Sequence, residues 1–562
     1  MTNRLEALKE KTVQYITPRK LRFFKESLTG YLFVAPALIL IFMFGIFPVG
    51  FALYVSLQKW KLKQTGFIGL TNYVRGMGNL SYALFFVFGI GLLLVAFRQL
   101  IKIIKAAKED QGLKVLWLAL PGMLHAAVIF AFFRFLWLQL PEFLAIADKI
   151  RVLEKTRENF MILIREAFHV EAVHSAWIDF RYTFLAALVV GILLVAILKW
   201  KNITTLQIKF MQFWLSLSAG AGLLWFTYSE IINVYTLALE EGTAPGIWPQ
   251  VITILSGLIP MILGFLLWNS ASNEYSNKRF WLKIFGALTL LVGGWILVGE
   301  IPAIVTAGDK DLWTGLKVTI FFSLGTVPFQ LSISMFLALL LFQKLKGSGF
   351  FRMVFFLPYV TPFIASAAVF KQMFSMRETS PINLILRNLG LEAQMWLQES
   401  KGIFEILAES GGFSIPAWAA GPSLALCVII LHSIWTYVGY DVVIYLAGLG
   451  NIPTEIKEAA QIDGANRWET FRHIIFPLLS PTTYFLSLIA IIGTFKAFAT
   501  LWVFRESLAL GTTETFSVVI FVEFFEKARY GYASALAFIL FALILAITFL
   551  NNRIQGSRVF YG

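Results

Sequence analysis

Residues 458–481 read EAAQIDGANRWETFRHIIFPLLSP, a polar passage with one glycine between two strongly apolar stretches. Just ahead of it, Pro453 suits a first helical position, where its missing N–H is not needed. A helix can then run through Glu455, Glu458 and Gln461 to Gly464, which permits a turn that a Cβ would hinder. Asn466 with Glu469 three residues on is close to a capping box, so a second helix is expected to run from there to Pro477, where apolar sequence resumes. The spacing predicts a helix, a turn and a helix lying across a membrane face. Its charges nearly balance, with Glu455, Glu458, Asp463 and Glu469 against Lys457, Arg467 and Arg472. A loop that merely sets topology leans basic; this one reads as a surface offered to a partner.

Composition places the rest of the chain in lipid. Hydrophobic residues make up 58% and charged residues 14%, against about 25% charged in soluble domains. About 12 stretches approach the ~20 apolar residues that a span requires, so the expected fold is an all-α membrane protein, a polytopic helical bundle of about 12 spans. The net charge of +14 is explained by Lys and Arg in short loops beside spans, and nucleic acid is set aside as a partner. The single Cys427 excludes an intrachain disulfide and a cysteine metal site, and the five histidines show no His-Glu-x-x-His spacing. No metal site is expected.

The polar passage resembles the EAA loop of ABC importer permeases. The residues that carry the resemblance are Glu458, Ala459 and Ala460, then Asp463-Gly464-Ala465 at the place of the family's DGA, then Ile474 and Pro477. Residues 31–60 look like the opening span of sugar-importer permeases, followed outside by Gly69-Leu70-Thr71-Asn72-Tyr73. The pattern resumes near Asp311-Leu312-Trp313. The family is the binding-protein-dependent, carbohydrate-type group, and extra spans at the first outer loop are similar to its maltose-type larger subunit. On this resemblance a six-span permease core carries about six inserted spans. The segments are 1–29, a cytoplasmic N-terminal segment; 30–76, the first core span and outer segment; 77–308, the inserted membrane region; and 309–562, the core with its coupling loop at 453–477.

Core spans are expected near 30–55, 317–342, 352–371, 423–448, 482–503 and 533–550, and inserted ones near 81–98, 115–139, 183–198, 210–228, 249–268 and 284–301. Charge supports the order: Arg98, Lys102, Lys105, Lys108 and Lys114 lie in one inside loop, Lys199, Lys201 and Lys209 in the next, and Lys278, Arg279 and Lys283 in the third. The outer loops are mixed or acidic. Arg19, Lys20, Arg22 and Lys25 precede the first span, which is too long for a signal-peptide core, so both termini are expected in the cytoplasm of a prokaryote, with the chain in the plasma (inner) membrane. In the outer loop 140–182, Phe143, Ile146, Ile150 and Leu153 have helical spacing; an interfacial amphipathic helix and a helical hairpin are both compatible with it.

The resemblance implies partners: a second permease subunit, two ATPase subunits that bind ATP and Mg, an extracytoplasmic solute-binding protein, and membrane lipid. The sequence has no G-x-x-x-x-G-K-[ST] phosphate loop, so no cofactor is expected in this chain and it is not read as an enzyme. Within the spans two charges stand out, Asp441 and Lys496, and intramembrane charges are usually functional. They flank the coupling segment and are expected to pair and meet a polar substrate; a structural ion pair, or a snorkelling Lys496, is the alternative. The resemblance places Thr436, Tyr437 and Tyr440 at substrate-lining positions, with Trp435 and His432 on the same helix, the histidine read as packed. The function implied is ATP-driven import of a sugar or oligosaccharide. Another polar solute (glycerol phosphate, polyamine) or a non-transporting membrane scaffold are the alternatives. A secondary transporter would show internal repeats, which are not evident.

Overall fold

A computed structural model describes residues 18–61, 63–109, 119–197, 203–242, 245–271, 277–299, 308–343, 346–509 and 511–554. Among these, nine helices are long and apolar enough to cross a bilayer, or eleven when each of two sharply bent helix pairs counts as one span. The Ile203–Glu240 helix covers the expected span 210–228 but is not among them; its serines, glycines, threonine and glutamine dilute the apolar run. Apart from a short antiparallel hairpin, Gln58–Trp60 with Gln64–Phe67, the regular structure described is helical. The chain divides into two compact units, Met1–Ile68 with Lys310–Gly562, and Gly69–Asp309.

The first unit is built on two crossing helices, Lys310–Phe342 and Leu424–Gly450. One apolar cluster joins Leu331, Met335 and Ala338 to Val442, Tyr445 and Leu449; another joins Phe322 to Leu426, Ile429, Phe504 and Val518. In lipid, helices gain little from burying carbon and are held by close packing and hydrogen bonds. Ser334 accordingly donates to the Val438 carbonyl at 3.1 Å, and Thr494 to the Ser323 hydroxyl at 2.9 Å. The opening helix, Pro18–Ile41, passes through a π turn at Phe42–Ile46 into Phe47–Ser56, whose last turn is buried and whose partner is the final helix, Tyr530–Ile554.

Two expected spans are not single rods. The stretch 352–371 is a helix pair, Ser348–Val360 and Phe363–Met373, bent by 92°. The cause is local: Pro362 pushes Thr361 out of the helical region to ψ 135°. The stretch 482–503 is Ser480–Phe495 followed, after a break at Lys496–Phe498, by Ala499–Phe504. Ser480–Phe495 in turn meets the helical run Arg467–Leu478 at 61°.

The second unit is made of helix pairs that approach closely at glycines. Gly257 and Gly264 of Ile247–Ala271 face the backbone at Gly294 and Ala287 of Asn277–Val298, and Gly89 faces Gly220. The stretch 140–182, expected as an outer loop, contains a helical hairpin. Arg157–His169, capped by the Thr156 hydroxyl, folds back on the Ala119–Lys149 helix through Ile146, Leu163 and Ala167. Ile146 and Ile150 lie at that contact, while Phe143 and Leu153 remain exposed.

Candidate functional site: a polar cavity and an exposed helix pair

The first unit encloses a cavity of about 510 Å³ between four helical segments. Phe322, Thr326 and Gln330 face it from Lys310–Phe342; Ser433, Tyr437, Tyr440 and Asp441 from Leu424–Gly450; Tyr359 from Ser348–Val360; and Gly493, Thr494 and Lys496 to Thr500 from the broken helix. Gly439 sets the width. A Cβ there would collide with the Phe355 carbonyl, so glycine lets the Ser348–Val360 backbone come against Leu424–Gly450. That approach lays Tyr359 over Tyr440, with ring centroids 4.9 Å apart and planes 26° from parallel. Tyr437 meets Tyr359 edge-on at 6.0 Å.

Four of the five residues expected on a substrate path therefore share one wall system: Tyr437, Tyr440, Asp441 and Lys496. Thr436 is not in the lining; its hydroxyl donates to the His432 carbonyl one turn back. Asp441 and Lys496 face the same space but do not form the expected ion pair. The Asp441 carboxylate, 3% exposed, instead accepts a 2.7 Å hydrogen bond from the Gln330 amide. Lys496 is exposed, at the residue where the helix stops, and has no ion pair among the described residues. His432 is packed: Phe363, Phe370 and Phe504 surround its ring, and Nε2 lies 3.1 Å from the Ser366 hydroxyl.

Sequence reading missed Gln330, Thr326, Ser433 and the helix break. Thr326 and Ser433 are buried at 1% and 3% exposure, and their hydroxyl oxygens have no hydrogen-bond partner among the described residues. Nearly all buried polar groups in folded proteins are paired, so two unpaired hydroxyls, one on each of two helices lining the cavity, stand out. At the break, the Phe495 and Ala497 carbonyls lose helical partners and accept from the Ser517 and Thr515 hydroxyls at 3.0 and 3.1 Å. Irregular backbone inside a membrane is tolerated where protein satisfies it or where it lines a cavity; both conditions hold here. Beyond the break, the buried Glu523 carboxylate is neutralised by Lys527 at 2.7 Å and Arg529 at 3.3 Å. The Glu523 contact holds the Lys527 ammonium above its ordinary value.

The second feature is the helix pair at 454–478. Thr454–Ile462 starts one residue after Pro453, which occupies the N-cap. Its end is a Schellman turn: Gly464 N–H donates to Gln461 O and Ala465 N–H to Ala460 O, with Gly464 at φ +79°. Asn466 and Glu469 form a reciprocal capping box at 2.8 and 2.9 Å. Ala460 is buried against the bundle, Ala465 and Pro477 are half-buried, and Glu458, Ala459, Asp463 and Gly464 are exposed. Ile462, which the sequence did not single out, is 87% exposed beside them. Lys457 lies over the Phe342 ring at 4.6 Å, and burial holds its ammonium below the ordinary value.

The match to a family model falls on this same region. A family model described as "Binding-protein-dependent transport system inner membrane component" matches residues 330–559. The chain is 30% identical over 305 residues to the probable ABC transporter permease protein YesP of Bacillus subtilis (strain 168), covering 54% of this chain and 90% of that one. It is 30% identical over 247 residues to the lactose transport system permease protein LacF of Rhizobium radiobacter, covering 43% and 76%. A chain of the bacterial alginate ABC transporter, solved with an alginate pentasaccharide-bound periplasmic protein, aligns over 51% of this chain and 97% of that chain, at 21% identity and a TM-score of 0.38.

Proposed function

This chain belongs to the family of binding-protein-dependent transport-system inner membrane components, the permease subunits of ABC transporters, and from that premise we propose that it carries a sugar or oligosaccharide across the plasma membrane of a prokaryote. The observation that carries the substrate reading is the cavity. Sugars present apolar ring faces and hydroxyl edges. The stacked Tyr359 and Tyr440 offer a flat apolar surface, and the Thr326 and Ser433 hydroxyls with the Asp441 carboxylate offer unused hydrogen-bonding capacity. A volume of about 510 Å³ lies within the ~300–1,000 Å³ of small-molecule sites. The curated relative that transports lactose is consistent with this class.

In this reading a solute-binding protein delivers substrate from outside, and both termini of the chain are cytoplasmic. Each of two ATPase subunits, with ATP and Mg, grips one permease, and a second permease subunit completes the path. The exposed edge formed by Glu458, Ala459, Ile462, Asp463 and Gly464 is the part of this chain that a motor would grip. Rigid capping at both ends of the turn makes the pair a stiff lever rather than a slack loop. A packed helix pair of this kind transmits rigid-body movement.

The test is uptake of labelled oligosaccharides and ATP turnover by the assembled transporter in proteoliposomes. Gly464→Pro, which forbids φ +79°, and Glu458→Lys are expected to insert normally yet hydrolyse ATP without uptake. Wild-type uptake by both variants would sink the coupling role. A second reading has its own observation: Lys496 faces the cavity without an ion-pair partner among the described residues, which suits a phosphate- or carboxylate-bearing solute. Inhibition of uptake by sn-glycerol 3-phosphate but not by neutral saccharides would favour it.

A further inference from the structure

A second concavity, of about 690 Å³, runs along the side of the first unit. One wall is Leu331, Met335 and Leu339 of the Lys310–Phe342 helix; the other is Trp468, Phe471 and Phe476 of the coupling segment. Tyr445 donates to the Thr483 hydroxyl at 3.2 Å and Thr483 to the Leu479 carbonyl at 3.1 Å, so with Ser332 and Gln343 exposed the groove is mainly apolar and its inner hydroxyls are already bonded. Trp468 is 64% exposed at its mouth, and tryptophan favours the level where acyl chain meets headgroup. Cations stand next to residues of the lining. Lys457 sits over the Phe342 ring beside Gln343 of the lining. Arg472 follows Phe471, and Lys346 lies three residues past Gln343; both are exposed and have no ion pair among the described residues. The nearest acid in the second helix, Glu469, is occupied by the Asn466 backbone N–H. Glu455 and Glu458 stand two before and one after Lys457, spacings that do not face one another on a helix.

We propose that this groove seats an acyl chain of an anionic phospholipid, its headgroup held by Lys457 and Arg472, in the leaflet on the coupling segment's side. Charge complementarity selects the occupant: a zwitterionic lipid would fill the apolar wall equally well but would leave the basic rim without a counter-charge. A lipid so placed wedges between the coupling segment and the bundle. The proposal stands whether or not an ATPase docks on the other edge of that segment.

The experiment uses the full-length chain in phosphatidylcholine nanodiscs containing a minor fraction of lipid brominated along the acyl chain, with either a phosphatidylglycerol or a phosphatidylcholine headgroup. The fluorescence of Trp468 is taken as the difference between wild type and Trp468→Phe. Brominated phosphatidylglycerol is expected to quench it at a mole fraction lower by about fivefold for each engaged basic residue. Lys457→Gln with Arg472→Gln is expected to erase that preference while leaving quenching by brominated phosphatidylcholine unchanged. Equal quenching by the two headgroups in wild type overturns the proposal, as does absence of quenching by either. Displacement by chain-free glycerol phosphate would assign the rim to a soluble anion. Loss of the quenching on assembly of the whole transporter would assign the groove to a neighbouring subunit. Should the double variant fail to insert, the wild-type comparison of headgroups alone decides.

Discussion

Gly464 and Gly439 are needed for opposite reasons. Around Gly464 there is open space, and only its φ of +79° excludes other residues; a side chain there costs ~1–2 kcal/mol in the left-handed region. Gly439 has ordinary helical torsions, but a Cβ would strike the Phe355 carbonyl. Backbone cannot swing away as a flexible side chain can, so Gly439→Ala must push the Ser348–Val360 helix outward and part Tyr359 from Tyr440. The expected cost is near the upper end of the ~1–3 kcal/mol of overpacking, seen as a lowered midpoint of thermal unfolding in nanodiscs. An unchanged midpoint would mean that the two helices are not held this close. The contrast explains what could be read in advance. Gly464 was legible because a polar helix–turn–helix needs a glycine at its bend. Gly439 lies in an apolar span where nothing local signals an approaching backbone. Asp441 was legible as a charge in an apolar run, whereas its partner Gln330 is 111 residues away in sequence, beyond any local pattern.

Among elements, the broken helix at Lys496 is the one that composition concealed. The bend at Thr361 follows from the residue before proline and was open to prediction. The stretch around Lys496 contains no proline, and its apolar run continues to Val503, so an unbroken span was the natural expectation. What holds the break open comes from elsewhere in the chain: the hydroxyls of Thr515 and Ser517 replace the helical N–H groups that the Phe495 and Ala497 carbonyls would otherwise meet. Thr515→Val with Ser517→Ala strands both carbonyls. The expected loss is about 1–3 kcal/mol for the pair, at ~0.5–1.5 kcal/mol per hydrogen bond. Amide hydrogen exchange over residues 494–500 is expected to accelerate, because the break would then open independently of the bundle. Unchanged exchange in that segment would show that other contacts set the break. Lys496 gains its access to the cavity from this break, so the same variant tests whether the lysine is placed by design of the fold or by chance.

At the scale of the molecule, the chain carries two units that each bury their own apolar residues: the clusters around Phe322 and Leu331 in one, and those around Phe135 and Ile146 in the other. The ends of the inserted region are neighbours, since Asp309 N–H donates to the Gly76 carbonyl at 3.1 Å. Adjacent ends are what allow one compact unit to be inserted into another without distorting either. The cavity, the helix break and the 454–478 helix pair all draw their residues from Lys310 onward. If the inserted spans serve as added rim rather than as part of the path, a chain in which a short Gly-Ser linker replaces residues 77–308 should still insert. The stability of its core should change by only about 1 kcal/mol or less, the scale on which loop length changes closure entropy. Uptake by the transporter assembled with the shortened chain measures this directly. Preserved uptake would assign transport to the core alone. A chain that inserts with an unchanged unfolding midpoint but no longer transports would give the inserted spans a part in the mechanism, and would place it outside the cavity.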